Sequence, residues 1–170
     1  FKAIDAELVV KKTRLEVYDK LKKNDNKIVV TVPPKNYINN KKNIFPLSGI
    51  SNSKTIFCNE NNYYSIYESD RYGFNNPDNE WDNEEIEYLL VGDSFTHGAC
   101  VNRPHDISSV LRSLSGKAVL NLGYGSNGPL IEYATLREYL NSNVKKVLWL
   151  YYEGNDLSDL SAEINSATLK

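Results

Sequence analysis

Glu87-Tyr88-Leu89-Leu90-Val91-Gly92-Asp93-Ser94-Phe95-Thr96-His97-Gly98 is the stretch on which the reading of this chain turns. The run from Glu87 to Val91 is apolar enough for a buried strand, and it stops at a glycine, after which Ser94 enters a helix or tight turn. The same alternation continues downstream. Residues 107–114 read as a helix, 118–122 as a strand, 130–140 as a helix, 144–152 as a strand and 157–164 as a helix. Three near-continuous apolar strands separated by helices specify parallel pairing with right-handed crossovers, hence an α/β sheet covered on both faces. Ligands of such sheets bind beyond the carboxyl ends of the strands, so the residues after each strand carry the functional reading.

Those ends read Gly92-Asp93-Ser94, then Asn121-Leu122-Gly123-Tyr124-Gly125-Ser126-Asn127-Gly128-Pro129, then Glu153-Gly154-Asn155-Asp156. A serine at the start of a helix lies where main-chain N–H groups and the helix dipole stabilise an oxyanion. A glycine-rich turn lets the backbone approach a substrate closely, and an asparagine donates through its amide. Together they describe a nucleophile with three donors. A plainer account makes Ser94 a helix cap, Asn155 a turn residue and Gly123, Gly125 and Gly128 packing glycines, but it leaves the meeting of all three at one sheet edge unexplained. Asp93 and Asp156 are expected to bond the backbone of their own turns. Tyr124, Tyr133, Tyr151 and Tyr152 read as core or pocket wall.

Taken in order, the three blocks resemble the SGNH, or GDSL-type, esterase and acyltransferase superfamily, over a little more than half the chain, from about Tyr67 to Leu160. The resemblance implies a flavodoxin-like three-layer α/β/α sandwich with a parallel sheet. It implies Ser94 as nucleophile and Asn155 as an oxyanion donor. The second block's donor falls at Ser126, whose main-chain N–H survives any side chain, or at Gly125 if the turn is shifted. Tyr67-Glu68-Ser69-Asp70-Arg71-Tyr72-Gly73-Phe74-Asn75-Asn76 is similar to a segment preceding the first block in bacterial members associated with polysaccharide modification. The implied activity is serine-dependent hydrolysis of an ester, removing an acyl group from a carbohydrate or small ester. The rival readings are O-acyl transfer to a polysaccharide, a non-catalytic carbohydrate-binding domain, and a flavodoxin-like binder of an anion.

One part of the family pattern is missing. Its base comes from a late Asp-x-x-His block, and the histidines here are His97 and His105. A serine hydroxyl without a base is a poor nucleophile at neutral pH. His97 lies three residues after Ser94, but a side chain in the same helical turn rarely aims its ring at the hydroxyl, so it reads as lining the pocket mouth or packing under the next loop. His105, after Pro104, reads as exposed or capping. The sheet shows three strands where the family uses about five, so the base and remaining strands are expected beyond Lys170, and the 170 residues alone are expected to be nearly inactive.

Outward from this core, residues 1–85 read as an amino-terminal helix and wrapping arm, and 86–170 as the core. Leu8, Leu15, Tyr18 and Leu21 fall at near-helical intervals between Ala3 and Lys23. Lys27 to Val32 is a β-branched run stopped by Pro33-Pro34, a short strand near an edge. Residues 35–87 are rich in Asn, Ser, Pro and acidic side chains, with apolar runs at 55–58 and 63–67 that allow one or two short strands. Cys58 and Cys100 lack metal-knuckle spacing and are buried thiols or one disulfide.

At 41% hydrophobic and 25% charged, 170 residues bury one sizeable core. The net charge of −2 argues against a nucleic-acid partner. Residues 1–45 nonetheless carry 11 basic and 5 acidic side chains, which fits solvated helix faces or proximity to anionic lipid beside an upstream anchor. No phosphate-binding glycine-lysine motif or metal-ligand cluster is present in the sequence, so no cofactor is expected.

Overall fold

The computed structural model describes residues 12–38, 45–60, 63–166 and 169. Helix α1, Arg14–Lys22, begins at Thr13 with a capping box: the Thr13 hydroxyl accepts the Glu16 N–H while the Glu16 carboxylate accepts the Thr13 N–H. The single helix expected from Ala3 to Lys23 is therefore not continuous, since Thr13 is extended and starts α1 afresh; residues 3–11 lie outside the described residues. The buried residue of α1 is Val17, whereas Leu15, expected to face inward, is 66% exposed.

Strands β1 (Ile28–Val30), β2 (Lys54–Ile56) and β3 (Ile66–Glu68) form one sheet, in which β1 runs parallel and β3 antiparallel to β2. The segment expected to be an arm therefore builds a small sheet with its own core of Val17, Ile28 and Ile56. The strand expected at 63–67 begins only at Ile66, where it comes opposite Ile56. β1 is an edge strand, as the following Pro-Pro requires.

The second sheet is all-parallel, in the order β5 (Val119–Asn121), β4 (Ile86–Gly92), β6 (Val144–Leu150). It alternates with helices α2 (Ser94–His97), α3 (Ile107–Ser115), α4 (Pro129–Tyr139) and α5 (Asp156–Glu163). The α/β class and parallel pairing follow the sequence, and only the short α2 was not resolved there as a separate helix. Phe74, Ile86, Leu89, Val91, Leu120, Leu122 and Tyr124 form its core.

The expectation that both faces of every strand are covered fails at β6. Val147, Leu148 and Trp149 are 38%, 36% and 43% exposed. β6 is an edge strand, and while α3 packs over β5 and α4 over β4, α5 packs chiefly on α4. That last contact has a specific origin. Gly128 brings no side chain to cap α4, and the buried Glu163 carboxylate from α5 accepts the Gly128 and Leu130 N–H groups at 2.7 and 2.8 Å.

The 67–76 segment knits the two sheets together. The Asp70 carboxylate accepts the Tyr72 and Phe74 N–H groups, the Asn76 amide and the Trp81 indole at 2.7–2.9 Å. Asn76 in turn bonds both the N–H and the C=O of Asn121 at the end of β5. A disulfide joins Cys58, just past β2, to Cys100, just past α2. Among the described residues no helix is long and apolar enough to cross a membrane.

Candidate active site

Ser94 stands at the carboxyl end of β4 as the first residue of α2. The helix cap is Asp93, whose Oδ1 accepts the Phe95 N–H at 3.2 Å. Ser94 is thus not the cap, and its hydroxyl is half-buried and donates to Asp93 Oδ2 at 3.3 Å. At the end of β6, Asn155 occupies the cap position of α5 without using its side chain to cap it. Its amide donates instead to Asp93 Oδ2 at 3.2 Å and to Asp159 Oδ2 at 3.0 Å. The serine hydroxyl and the asparagine amide therefore meet on one carboxylate oxygen, although they are separated by 61 positions in sequence.

Both Asn155 amide protons rest on carboxylates. Asp159 is held in turn by Lys35, whose ammonium lies 2.5 Å from its other oxygen, so a residue of the amino-terminal segment reaches the edge of the site. Below lie further buried carboxylates. Asp156 accepts the Tyr152 N–H at 2.6 Å, bonding its own turn as expected, and burial raises its pKa. Glu132 accepts the Trp149 indole N–H at 2.5 Å, and burial, with Asp156, Asp93 and Glu163 nearby, pushes it up to about 8.

The second loop is built differently. Gly123 is wedged against α2: a Cβ there would come within 2.5 Å of the Thr96 Cβ and the His97 nitrogen. Beyond it the Gly125 N–H donates to His97 Nδ1 at 3.0 Å, so Gly125, one of two donors left open by the sequence, already has an acceptor. Ser126 follows with φ +67°, left-handed for a residue bearing a Cβ, and among the described residues its N–H has no hydrogen-bond partner. The next residue closes the turn through the Asn127 N–H to the Tyr124 carbonyl. No hydrogen bond among the described residues joins Ser126 directly to Ser94 or Asn155.

His97 packs under this loop and does not line a pocket mouth. It is fully buried, stacked between Phe57 and Tyr124 at centroid distances of 4.0 and 4.5 Å, with Nε2 2.8 Å from the Tyr67 hydroxyl. Burial pushes its imidazole down to about 3. Both ring nitrogens are engaged away from Ser94. His105 is exposed, and Asp106 rather than His105 caps α3. Tyr124 is core, whereas Tyr133, Tyr151 and Tyr152 are exposed. Among the described residues no group of three His, Cys, Asp or Glu side chains is placed to hold a metal ion.

No protein-family model, curated protein or solved structure matches this chain.

Proposed function

We propose that the protein is a serine-dependent ester hydrolase of the SGNH type on a flavodoxin-like core, acting on an acylated carbohydrate or small ester. The observation that carries this reading is the sharing of Asp93 Oδ2 by the Ser94 hydroxyl and the Asn155 amide. Nucleophile and donor from two strand ends are held at one point, as acyl transfer requires.

Ser94 Oγ attacks the ester carbonyl carbon as its proton passes to a base. The carbonyl π electrons move to oxygen, and that oxyanion is met by main-chain N–H groups at Ser94 and Ser126 and by one Asn155 N–H. Collapse expels the alcohol, which takes up the proton, and water then releases the acid from the acyl-serine. Asn155 joins this hole by giving up one carboxylate partner, of which Asp93 is the longer contact. Phe95 and Tyr152, both exposed with rings 5.0 Å apart, offer a wall for the substrate beside Ser94. Among the described residues the Ser94 hydroxyl has Asp93 as its partner and no imidazole, both ring nitrogens of His97 being engaged with Tyr67 and Gly125, and the base in this reading comes from outside them.

The engagement of His97 away from Ser94 also favours a second reading, a domain that binds carbohydrate esters without cleaving them. Added imidazole separates the two by supplying a base in solution. Turnover of a short-chain acetyl ester, corrected for hydrolysis by imidazole alone, is expected near background without imidazole and to rise with its concentration, while Ser94→Ala stays flat. Identical behaviour of the parent protein and Ser94→Ala would support the non-catalytic domain.

A further inference from the structure

His97 adjoins the site, is fully buried, and has no part in the proton transfers above. We infer that it is a positioning residue: by accepting the Gly125 N–H on Nδ1, it fixes the turn in the conformation that leaves the Ser126 N–H unpaired for the oxyanion. This role rests on the reading of Ser94 as nucleophile.

A main-chain N–H can only donate, so Nδ1 carries a lone pair. The single imidazole proton then sits on Nε2 and is donated to the Tyr67 hydroxyl. Ring rotation is blocked by the Phe57 and Tyr124 faces, which stack at 29° and 27°. A 180° turn about the Cβ–Cγ bond would present a carbon to Gly125. Three segments of chain, at 57, 67 and 97, thereby hold one amide, and the Cys58–Cys100 disulfide ties the first to the third. With Gly125 committed and Asn127 bonded to Tyr124, Ser126 is the residue of this turn whose N–H is left over.

The test uses the full chain and two variants. In the parent protein, long-range ¹H–¹⁵N correlation should show the Nε2–H tautomer with no titration between pH 4 and 8. His97→Phe keeps an aromatic ring between Phe57 and Tyr124 but removes the acceptor; His97→Asn places an amide oxygen near the position of Nδ1. With imidazole as base, His97→Phe should lose about 10- to 100-fold in kcat with KM little changed, and His97→Asn should recover most of that loss. Equal kcat in parent and His97→Phe would overturn the role while leaving Ser94 as nucleophile. If no ester is turned over at all, the hydrolase reading fails and this role with it, whatever the tautomer. Should His97→Phe not fold, the tautomer decides: a proton on Nδ1, or titration near pH 6, would overturn the inference.

Discussion

The two sides of the candidate site are built to different standards. On the β4–β5 side, every strand end is locked: Gly123 lies against α2, Asn121 is bonded on both main-chain groups by Asn76, and Gly125 is tied to a fully buried histidine. On the β6 side an edge strand with exposed apolar residues leads to Asn155, whose contacts are two carboxylates and, through Asp159, a lysine from the amino-terminal segment. The first side is preorganised by packing. The second is held by polar contacts that can exchange partners at little cost in packing. Packing on the tight side should govern whether the site forms, and the donors of both sides, Ser126 held through His97 and Asn155 held by carboxylates, how fast it works.

Substitution at Gly123, where the tight side is packed closest, should act on folding. Gly123→Ala would drive a methyl group into Thr96 and the main chain of His97, with no flexible side chain to yield, and is expected to cost more than about 4 kcal/mol or to prevent folding. Denaturant unfolding of the variant measures this, and a loss under about 1 kcal/mol would show the tight side to be loose.

On the other side the effect should fall on rate. Asn155→Ala is expected to lower imidazole-assisted kcat by roughly 10² to 10³, about 2.7 to 4 kcal/mol, with little change in KM or in thermal stability. Ser126→Ala keeps the main-chain donor and should lose far less. If the two variants were equally damaging, the Ser126 hydroxyl itself would be functional.

The two sides also carry opposite pH limbs. His97, pushed down to about 3 in the fold, binds its proton more readily when unfolded, so stability is lost as pH falls below about 6.5. Glu132 is pushed up to about 8, so its contribution is full below about 4.5 and is lost as pH rises through 8. Stability should therefore be greatest between about pH 4.5 and 6.5. Glu132→Gln retains an oxygen for the Trp149 indole and should flatten only the alkaline limb, by on the order of 2 to 4 kcal/mol at pH 8. Urea midpoints across pH 4 to 9 check both limbs.

The tight side was largely legible in sequence, because an apolar run ending in Gly-Asp-Ser and a glycine-rich turn announce both their strands and their close approach. The exposure of β6 was not, since Val147-Leu148-Trp149-Leu150 reads the same whether covered or bare; burial depends on which helices return to it. The short strands at 28–30, 54–56 and 66–68 fall on apolar runs visible in the sequence, but their pairing into one β1–β2–β3 sheet is not, because runs of three residues carry no register. For His97 the sequence leaves two places open, the pocket mouth and the underside of the next loop, and the structure puts it under the loop. Its bonding partners, Tyr67 and Gly125, lie 30 and 28 positions away, and no local pattern brings them together. The Asp70 turn had a signal, an aspartate three residues before Gly73, that points to a side chain capping its own loop.

The central claim is that Ser94 is the nucleophile of a site whose base is supplied from outside the described residues. Intact-mass analysis after exposure to a fluorophosphonate, with and without imidazole, tests it most directly. One adduct per chain, mapped to Ser94, accelerated by imidazole and absent in Ser94→Ala, is the predicted result. An adduct forming at the same rate in Ser94→Ala, or none in either protein at any imidazole concentration, would contradict it.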